Sequence, residues 1–258
     1  MLEIYKRLPK KNCGECGSAT CMAFAMAVKK AKADLSGCPY VKDGSSPGPQ
    51  TNSSEAPSAG YKQVAEEIER EAVSVDFRQA AEAIGGEYLS CHGKEAIRLK
   101  MLNKTYALYR EGLFEDTAYS GDTWARIIIC DYIRRRAIRP LTGELIGLGH
   151  FPHTASLVKA FQGNAERKMA GAFKNNADGL RRRCAELGGA EVPNNLKADY
   201  SFSFDLLPNV PLFLSFWSAD EEFEADCTIL FDRSAEAHID IEYLANLLER
   251  FTLELAGE

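Results

Sequence analysis

Cys13-Gly14-Glu15-Cys16-Gly17-Ser18-Ala19-Thr20-Cys21, answered by Cys38-Pro39, sets the organisation of this 258-residue chain. The spacing is C-x2-C-x4-C-x16-C-P, so three thiols sit in one short loop and a fourth follows after a helix-length gap. A cubane iron–sulfur cluster takes four thiolates, one per iron, and short spacings let a single loop supply three of them. Gly14 and Gly17 lack a Cβ, which lets backbone N–H groups approach inorganic sulfide. A structural zinc site also accepts four cysteines, but usually as two C-x2–4-C pairs on separate turns. Only one such pair is present, so the spacing favours a [4Fe–4S] cluster over zinc. A disulfide framework is disfavoured, because Met1-Leu2-Glu3-Ile4-Tyr5-Lys6-Arg7 lacks the apolar stretch of a secretory signal.

Hydrophobic residues at 45% and charged residues at 26% are the proportions of a soluble globular protein. No run of about 18 apolar residues occurs, so membrane insertion is not expected. The cytoplasm is the expected location. Residues 1–42 carry eight Lys or Arg against three Asp or Glu, a balance of +5, while the remainder carries 23 against 34, a balance of −11. A thiolate-ligated cluster is anionic, and the basic segment around it offsets that charge. Lys29, Lys30 and Lys32 are either the wet face of a helix or a rim that steers an acidic redox partner. Nucleic acid is not an expected partner: the chain is acidic overall and its basic residues lack interleaved aromatics.

The expected fold class is α+β, in three parts. Residues 1–42 form a small cluster-binding domain. Ser18 or Thr20 caps a helix reaching about residue 35, with Cys21, Phe24, Ala25 and Val28 on one face; Gly37 closes it and Cys38 returns to the metal. So short a segment cannot bury a core of its own, which makes the cluster its core and the metal-free segment disordered. Residues 43–60, rich in Gly, Ser and Pro, read as a flexible linker. Residues 61–258 form a mixed α+β domain. Helices are expected through Val64, Ile68 and Ala72, over 76–84, over 124–137, as a pair within 154–188, and over 242–255 behind an Asp240 cap. Strands are expected over 87–91, 96–101, 105–109 (after an Asn103-Lys104 turn), 144–148, 199–206, 210–218 and 226–231. Strand runs and helix runs are segregated, which argues for a mainly antiparallel sheet.

Two stretches carry family resemblances. Leu8-Pro9-Lys10-Lys11-Asn12-Cys13-Gly14-Glu15-Cys16-Gly17, Thr20-Cys21-Met22-Ala23-Phe24-Ala25 and Cys38-Pro39 resemble the N-terminal iron–sulfur module of the corrinoid iron–sulfur protein large subunit. A similar four-cysteine motif occurs in the B subunit of the Rnf electron-transport complex. The resemblance implies a low-potential [4Fe–4S] cluster held by Cys13, Cys16, Cys21 and Cys38 that passes single electrons. It covers about a sixth of the chain, and no counterpart of a corrinoid-binding barrel follows. The remainder resembles an uncharacterised domain family of anaerobic prokaryotes, often fused to this module. The residues concerned are Pro140-Leu141-Thr142-Gly143-Glu144, Val210-Pro211-Leu212-Phe213-Leu214, Trp217, Asp220-Glu221-Glu222-Phe223 and Ile229-Leu230-Phe231-Asp232. That likeness supplies no site. Where members of that family tend to read Trp-Ile-Ser-Phe-Arg after the Thr-Gly, this chain reads Leu145-Ile146-Gly147-Leu148-Gly149.

Other candidates lie in the larger domain. Cys91-His92 pairs a thiol with an imidazole, but adjacent strand residues point to opposite faces, which weighs against an activated thiolate. Cys130 sits in an apolar helix and reads as core; Cys184 and Cys227 are isolated, and no two of these four lie at ligand spacing. His150-Phe151-Pro152-His153 offers two imidazoles for a metal or a corrinoid, against a plain polar loop. Asp220-Glu221-Glu222 and Glu224 read as a solvated hairpin tip or a docking surface. Phosphate-binding loops and a nucleophile elbow are absent, which disfavours a nucleotide-dependent enzyme. The resulting expectation is a one-electron carrier in anaerobic metabolism, working with a redox partner such as a corrinoid protein or a ferredoxin-like donor. The alternatives are a ligand-binding or regulatory module with a structural or redox-sensing cluster, and an enzyme that uses the cluster to reduce a substrate; catalytic residues are not identifiable.

Overall fold

The fold is taken from a computed structural model of the chain. It describes residues 59–152, 154, 161–193 and 196–257 and, nearer the start, positions 8, 15, 16, 18, 24, 25, 27, 28, 33 and 35–40. The linker stretch 43–58 and residues 155–160 of the expected helix pair lie outside the described residues; Thr154, where that pair is expected to start, is not helical. The chain divides into two units, Met1–Ala56 and Pro57–Glu258.

In the first unit the backbone is helical at Phe24, Ala25, Ala27 and Val28, and a 3-10 turn spans Leu35–Gly37. Leu8, Phe24, Ala25 and Cys38 are buried together.

The second unit opens with α1 (Ala59–Ala72) and α2 (Phe77–Ile84). Asp76 caps α2 by accepting from Gln79 N at 2.9 Å, and Gly85 ends it with φ 72°, a left-handed geometry that glycine adopts without a Cβ clash. The first sheet is a meander of β1 (Glu87–Cys91), β2 (Lys94–Met101), β3 (Lys104–Tyr109), β4 (Gly112–Glu115) and β5 (Ala118–Tyr119), each strand antiparallel to the next. In β2, Ile97, Leu99 and Met101 are buried while Arg98 and Lys100 between them are exposed, the period-2 pattern of a strand with one covered face. The turn between β2 and β3 falls at Leu102-Asn103, one residue before the expected place. Leu102 takes φ 56°, and its N–H donates to the Leu206 carbonyl at 3.0 Å.

α3 (Thr123–Arg135), capped by Asp122, is buried on nearly every side through Ile127, Ile128, Ile129, Cys130, Tyr132 and Ile133. It ends two residues earlier than expected, with Arg136 in the left-handed conformation at φ 47°. The second sheet has the order β6-β10-β9-β8-β7, all antiparallel: β6 (Leu145–Ile146), β7 (Ala190–Glu191), β8 (Tyr200–Leu207), β9 (Val210–Trp217) and β10 (Asp226–Asp232). The fold is thus α+β with mainly antiparallel pairing, distributed over two five-stranded sheets. The strand expected over 144–148 shrinks to β6, followed by a 3-10 turn at Leu148–His150. α4 (Gly163–Phe173), α5 (Ala177–Glu186), the short α6 (Ala235–His238) and α7 (Ile241–Ala256, capped by Asp240) complete the unit. One buried core runs through both sheets and these helices, from Ala65 to Leu255.

β6 pairs with β10 only at Phe231 and Asp232. Beyond that point side chains cap the sheet edge: Glu166 Oε1 accepts from Ile229 N at 3.0 Å, and Gln162 Nε2 donates to Ile229 O at 3.2 Å. Both lie at the start of α4, and this arrangement leaves the edge no free ladder groups at Ile229.

Candidate metal centre

In the first unit, half-buried Cys16 packs against the cluster that contains buried Cys38, together with Val28, Ala33, Leu35 and Tyr40. The 3-10 turn places Cys38, whose N–H donates to Leu35 O at 3.2 Å. Tyr40 Oη donates to Glu15 Oε1 at 2.9 Å, tying the Cys16 loop to the Cys38 turn. Cys13 and Cys21 lie outside the described residues. The donor chemistry fits an iron–sulfur cluster: two thiols from distant positions share one apolar shell, where water is scarce and thiolate–metal bonding is favoured.

The structure corrects one reading in the larger unit. Cys91 and His92 do not point to opposite faces. His92 and Gly93 form the β1–β2 hairpin turn with φ 49° and 76°, and this swings the imidazole back until Nδ1 lies 3.0 Å from Cys91 Sγ. Both side chains are exposed. Burial pushes the Cys130 thiol up, with Glu69 adding to the effect; burial alone pushes Cys184 up to about 12; and Cys227 is raised by burial and then by Glu166. Among the described residues no group of three or more His, Cys, Asp or Glu is placed to hold a metal ion. His150 is exposed at the end of a 3-10 turn, and His153 lies outside the described residues. The acidic stretch is the loop between β9 and β10, where Glu224 pairs with Lys174.

Three polar assemblies were not foreseen from the sequence. Asp232, buried at the end of β10, accepts from Thr142 N (3.0 Å), Thr142 Oγ1 (3.0 Å), Gly143 N (2.7 Å), Ser234 N (2.8 Å) and Ser234 Oγ (2.6 Å). Burial opposes its ionisation, yet these bonds, Ser234's foremost, outweigh that and hold its carboxyl well below the usual carboxylate range. Glu69 accepts from Leu113 N (2.8 Å), Tyr119 Oη (3.0 Å) and Arg126, joining α1, the first sheet and α3. Burial and the Glu69 bond push Tyr119 up to about 12. Asp131, fully buried, accepts from Arg134 Nε (2.9 Å), Arg135 Nε (2.7 Å) and Asp240 N (3.0 Å). A cleft of about 410 Å³ opens beside it among Glu71, Ser74, Val75, Arg134, Arg135 and Arg136. Glu71, Asp131 and Asp240 offset most of its positive charge. The local signal was present only for Asp232, whose surroundings fall in the two quoted stretches Pro140–Glu144 and Ile229–Asp232.

Fold and site therefore define an iron–sulfur segment carried with an α+β domain, and the comparisons agree. Residues 8–40 match the family described as "Putative Fe-S cluster". Residues 76–253 match the family described as "Domain of unknown function (DUF3786)", and the chain belongs to that family. The corrinoid/iron-sulfur protein large subunit of Moorella thermoacetica is 69% identical over 42 residues, 16% of this chain and 9% of that protein. The acetyl-CoA decarbonylase/synthase complex subunit gamma of Methanosarcina acetivorans is 58% identical over 38 residues, 15% of this chain and 8% of that protein. The subunit of the same name from Methanothermobacter thermautotrophicus is 45% identical over 40 residues, 16% and 9% respectively. The chain thus spans about a tenth or less of the length of the curated relatives it matches. No solved structure matches it. No helix among the described residues is long and apolar enough to cross a membrane.

Proposed function

We propose that Cys13, Cys16, Cys21 and Cys38 hold one [4Fe–4S] cluster and that the protein exchanges single electrons with a redox partner protein in the cytoplasm of an anaerobe. The observation that carries this reading is the packing of Cys16 and Cys38 against one apolar cluster, in a segment matching an iron–sulfur family. When bound, the cluster supplies one-electron redox chemistry. The chain's own contribution is to hold it: the four thiolates ligate, while Leu8, Phe24 and Ala25 keep water from the buried side. Residues 1–42 act as the cluster-binding domain, 43–60 as a linker, and 61–258 as the domain that docks the partner. The relatives are subunits of a corrinoid/iron-sulfur protein and of an acetyl-CoA decarbonylase/synthase complex, which supports a corrinoid protein as that partner, with a ferredoxin-like donor as the alternative.

The test is anaerobic reconstitution with iron and sulfide analysis, followed by electron paramagnetic resonance during a potential titration. Wild type should hold about four irons per chain and give a reduced signal at low potential. Cys16→Ser and Cys38→Ser should each lose iron or shift the signal. Zinc in place of iron, or a cluster that never reduces, would overturn the electron-carrier reading and favour a structural or sensing role.

A further inference from the structure

The connection from α3 to β6, residues 136–144, is exposed yet pinned along its length. His238 Nε2 donates to the Arg139 carbonyl at 3.0 Å, Asp232 accepts from Thr142 and Gly143, and Arg233 grips Glu144 through two bonds of 2.5 and 2.7 Å. Thus held, the strap displays Arg136, Ile138, Arg139 and Leu141. Ile138 is 86% exposed, the most exposed large apolar side chain among the described residues. Neither arginine side chain pairs with a carboxylate among those residues, in contrast to Arg134 and Arg135.

The loop from β9 to β10 is its chemical complement. Asp220 accepts from the N–H groups of Glu222 (2.8 Å) and Phe223 (2.7 Å), and its own N–H donates to Phe223 O at 3.0 Å. This tight turn projects Phe223, 70% exposed, beside Glu221 and Glu222, while Glu224 on its other side pairs with Lys174. The two most exposed apolar side chains are therefore each flanked by charge, of opposite sign at the two sites. They lie at opposite ends of β10, whose seven residues span about 20 Å, so they cannot meet within one molecule.

We propose that each site is covered by the other in a second copy of this chain. Two copies lie antiparallel along β10 about a two-fold axis, and each seats its Phe223 loop on the 136–141 strap of the other. An antiparallel two-fold pair satisfies both sites of both molecules at once, whereas a head-to-tail contact leaves a loop or a strap exposed at each end of the assembly. The β10 edge takes no part, since Glu166 and Gln162 already hold the Ile229 N–H and C=O. Both elements are ordered before association, which spares the entropy of ordering loops. The small contact sets a weak, salt-sensitive affinity, on the order of 10–100 μM.

The test is sedimentation velocity of the full chain, kept anaerobic with reductant so that no disulfide forms, over about 5–500 μM. A monomer–dimer equilibrium is expected, weakened at least about tenfold by raising ionic strength from about 0.05 to about 0.5 M. Ile138→Asp and Phe223→Ser, both at exposed positions, should each abolish it while tryptophan fluorescence shows an unchanged fold. Arg136→Glu/Arg139→Glu makes both sites acidic, and Glu221→Arg/Glu222→Arg/Glu224→Arg, which leaves only Asp220 negative in the loop, makes both basic. Each variant alone should be monomeric, and an equimolar mixture should recover the dimer, because both cross-contacts are again complementary. A chain monomeric throughout at low salt overturns the proposal and leaves the strap to an acidic partner of another kind. A dimer indifferent to the reversals, or one that mixing fails to restore, overturns it equally.

Discussion

Asp232→Ala is the most informative single perturbation of the larger unit. The carboxylate accepts five hydrogen bonds at one buried point, two from Ser234 and three from the strap residues Thr142 and Gly143. The two groups differ in what replaces the lost acceptor. Thr142 and Gly143 are exposed, so water re-solvates their donors; Ser234 is buried, and its N–H and hydroxyl are stranded. Hydrogen bonds to a charged acceptor contribute about 1.5–3 kcal/mol each when no substitute exists, so the Ser234 pair alone sets a loss of about 3–6 kcal/mol. Asp232→Asn keeps the Oδ1 acceptor but turns an NH2 against Gly143 N–H, and should cost about 1–2 kcal/mol. The assay is urea unfolding followed by tryptophan fluorescence, because both tryptophans, Trp124 and Trp217, belong to the second unit. The carboxyl is held below its ordinary 3.8 in the fold, so its stabilisation is complete above that value and is lost as pH falls through it. The gap between wild type and Asp232→Ala should therefore narrow by about 1 kcal/mol on going to about pH 3. A loss under about 1 kcal/mol at neutral pH, or a gap that is the same or wider in acid, would refute the reasoning.

Three further outcomes follow from the polar assemblies and the thiols. Glu69→Gln leaves the Arg126 charge without its partner and should cost on the order of 3 kcal/mol, and an alkaline absorbance titration should show Tyr119, now at about 12, ionising at lower pH. Burial holds His238 below its ordinary 6.5, so the unfolded chain takes up a proton first and stability falls as pH drops below that value; His238→Gln should flatten this part of the stability–pH curve. Glu242, Glu249 and Glu254, all raised by partial desolvation, act in the opposite direction at more acidic pH, which is why the comparison is made variant against wild type. Exposed Cys91 should alkylate at least about tenfold faster than Cys130, Cys184 and Cys227 when labelling is mapped peptide by peptide; equal rates would contradict the burial of those three.

What the sequence made legible was local. The Asp240 cap and the Gly85 stop are signals contained within a few residues; Asp76 and Asp122 cap by the same chemistry, but the expected helices include Asp76 and begin after Asp122 without marking either as a cap. The alternation in β2 reports its covered face directly. The unread features depend on partners far along the chain. Gln162 and Glu166 finish the edge of β10 across more than sixty residues, and nothing near them in sequence announces it. β5 and β7 are two residues long and exist only because a neighbour pairs with them, so no window of periodicity could find them. β6 joins β10 rather than extending the first meander, and pairing choices of this kind are tertiary. Leu102 and Arg136 take positive φ although neither is a residue that favours it; the β2–β3 hairpin register and the end of α3 impose it. At the candidate metal centre the reverse holds. The cysteine spacing carried the reading, and the described structure contributes the shared apolar shell of Cys16 and Cys38.

The two units should respond differently to loss of metal, and their cores say why. Among the described residues the buried cluster of the first unit is built on Leu8, Phe24, Ala25 and Cys38, whereas the second has a continuous core from Ala65 to Leu255. Each cluster draws its residues from one unit only. A segment of about 40 residues rarely buries enough apolar surface to stay folded without a metal or disulfide. Its folding free energy is therefore tied to ligation, while the second unit's is not. Chelation of the reconstituted protein under argon should abolish hydrogen-exchange protection around residues 8–40 and leave the tryptophan-reported urea midpoint within about 0.5 kcal/mol of the holo value. Protection that survives chelation would mean that the Leu8–Phe24–Cys38 cluster holds the segment by packing alone. A fall in the tryptophan midpoint would mean that metal ligation contributes to the stability of the larger core, against the division of buried residues observed.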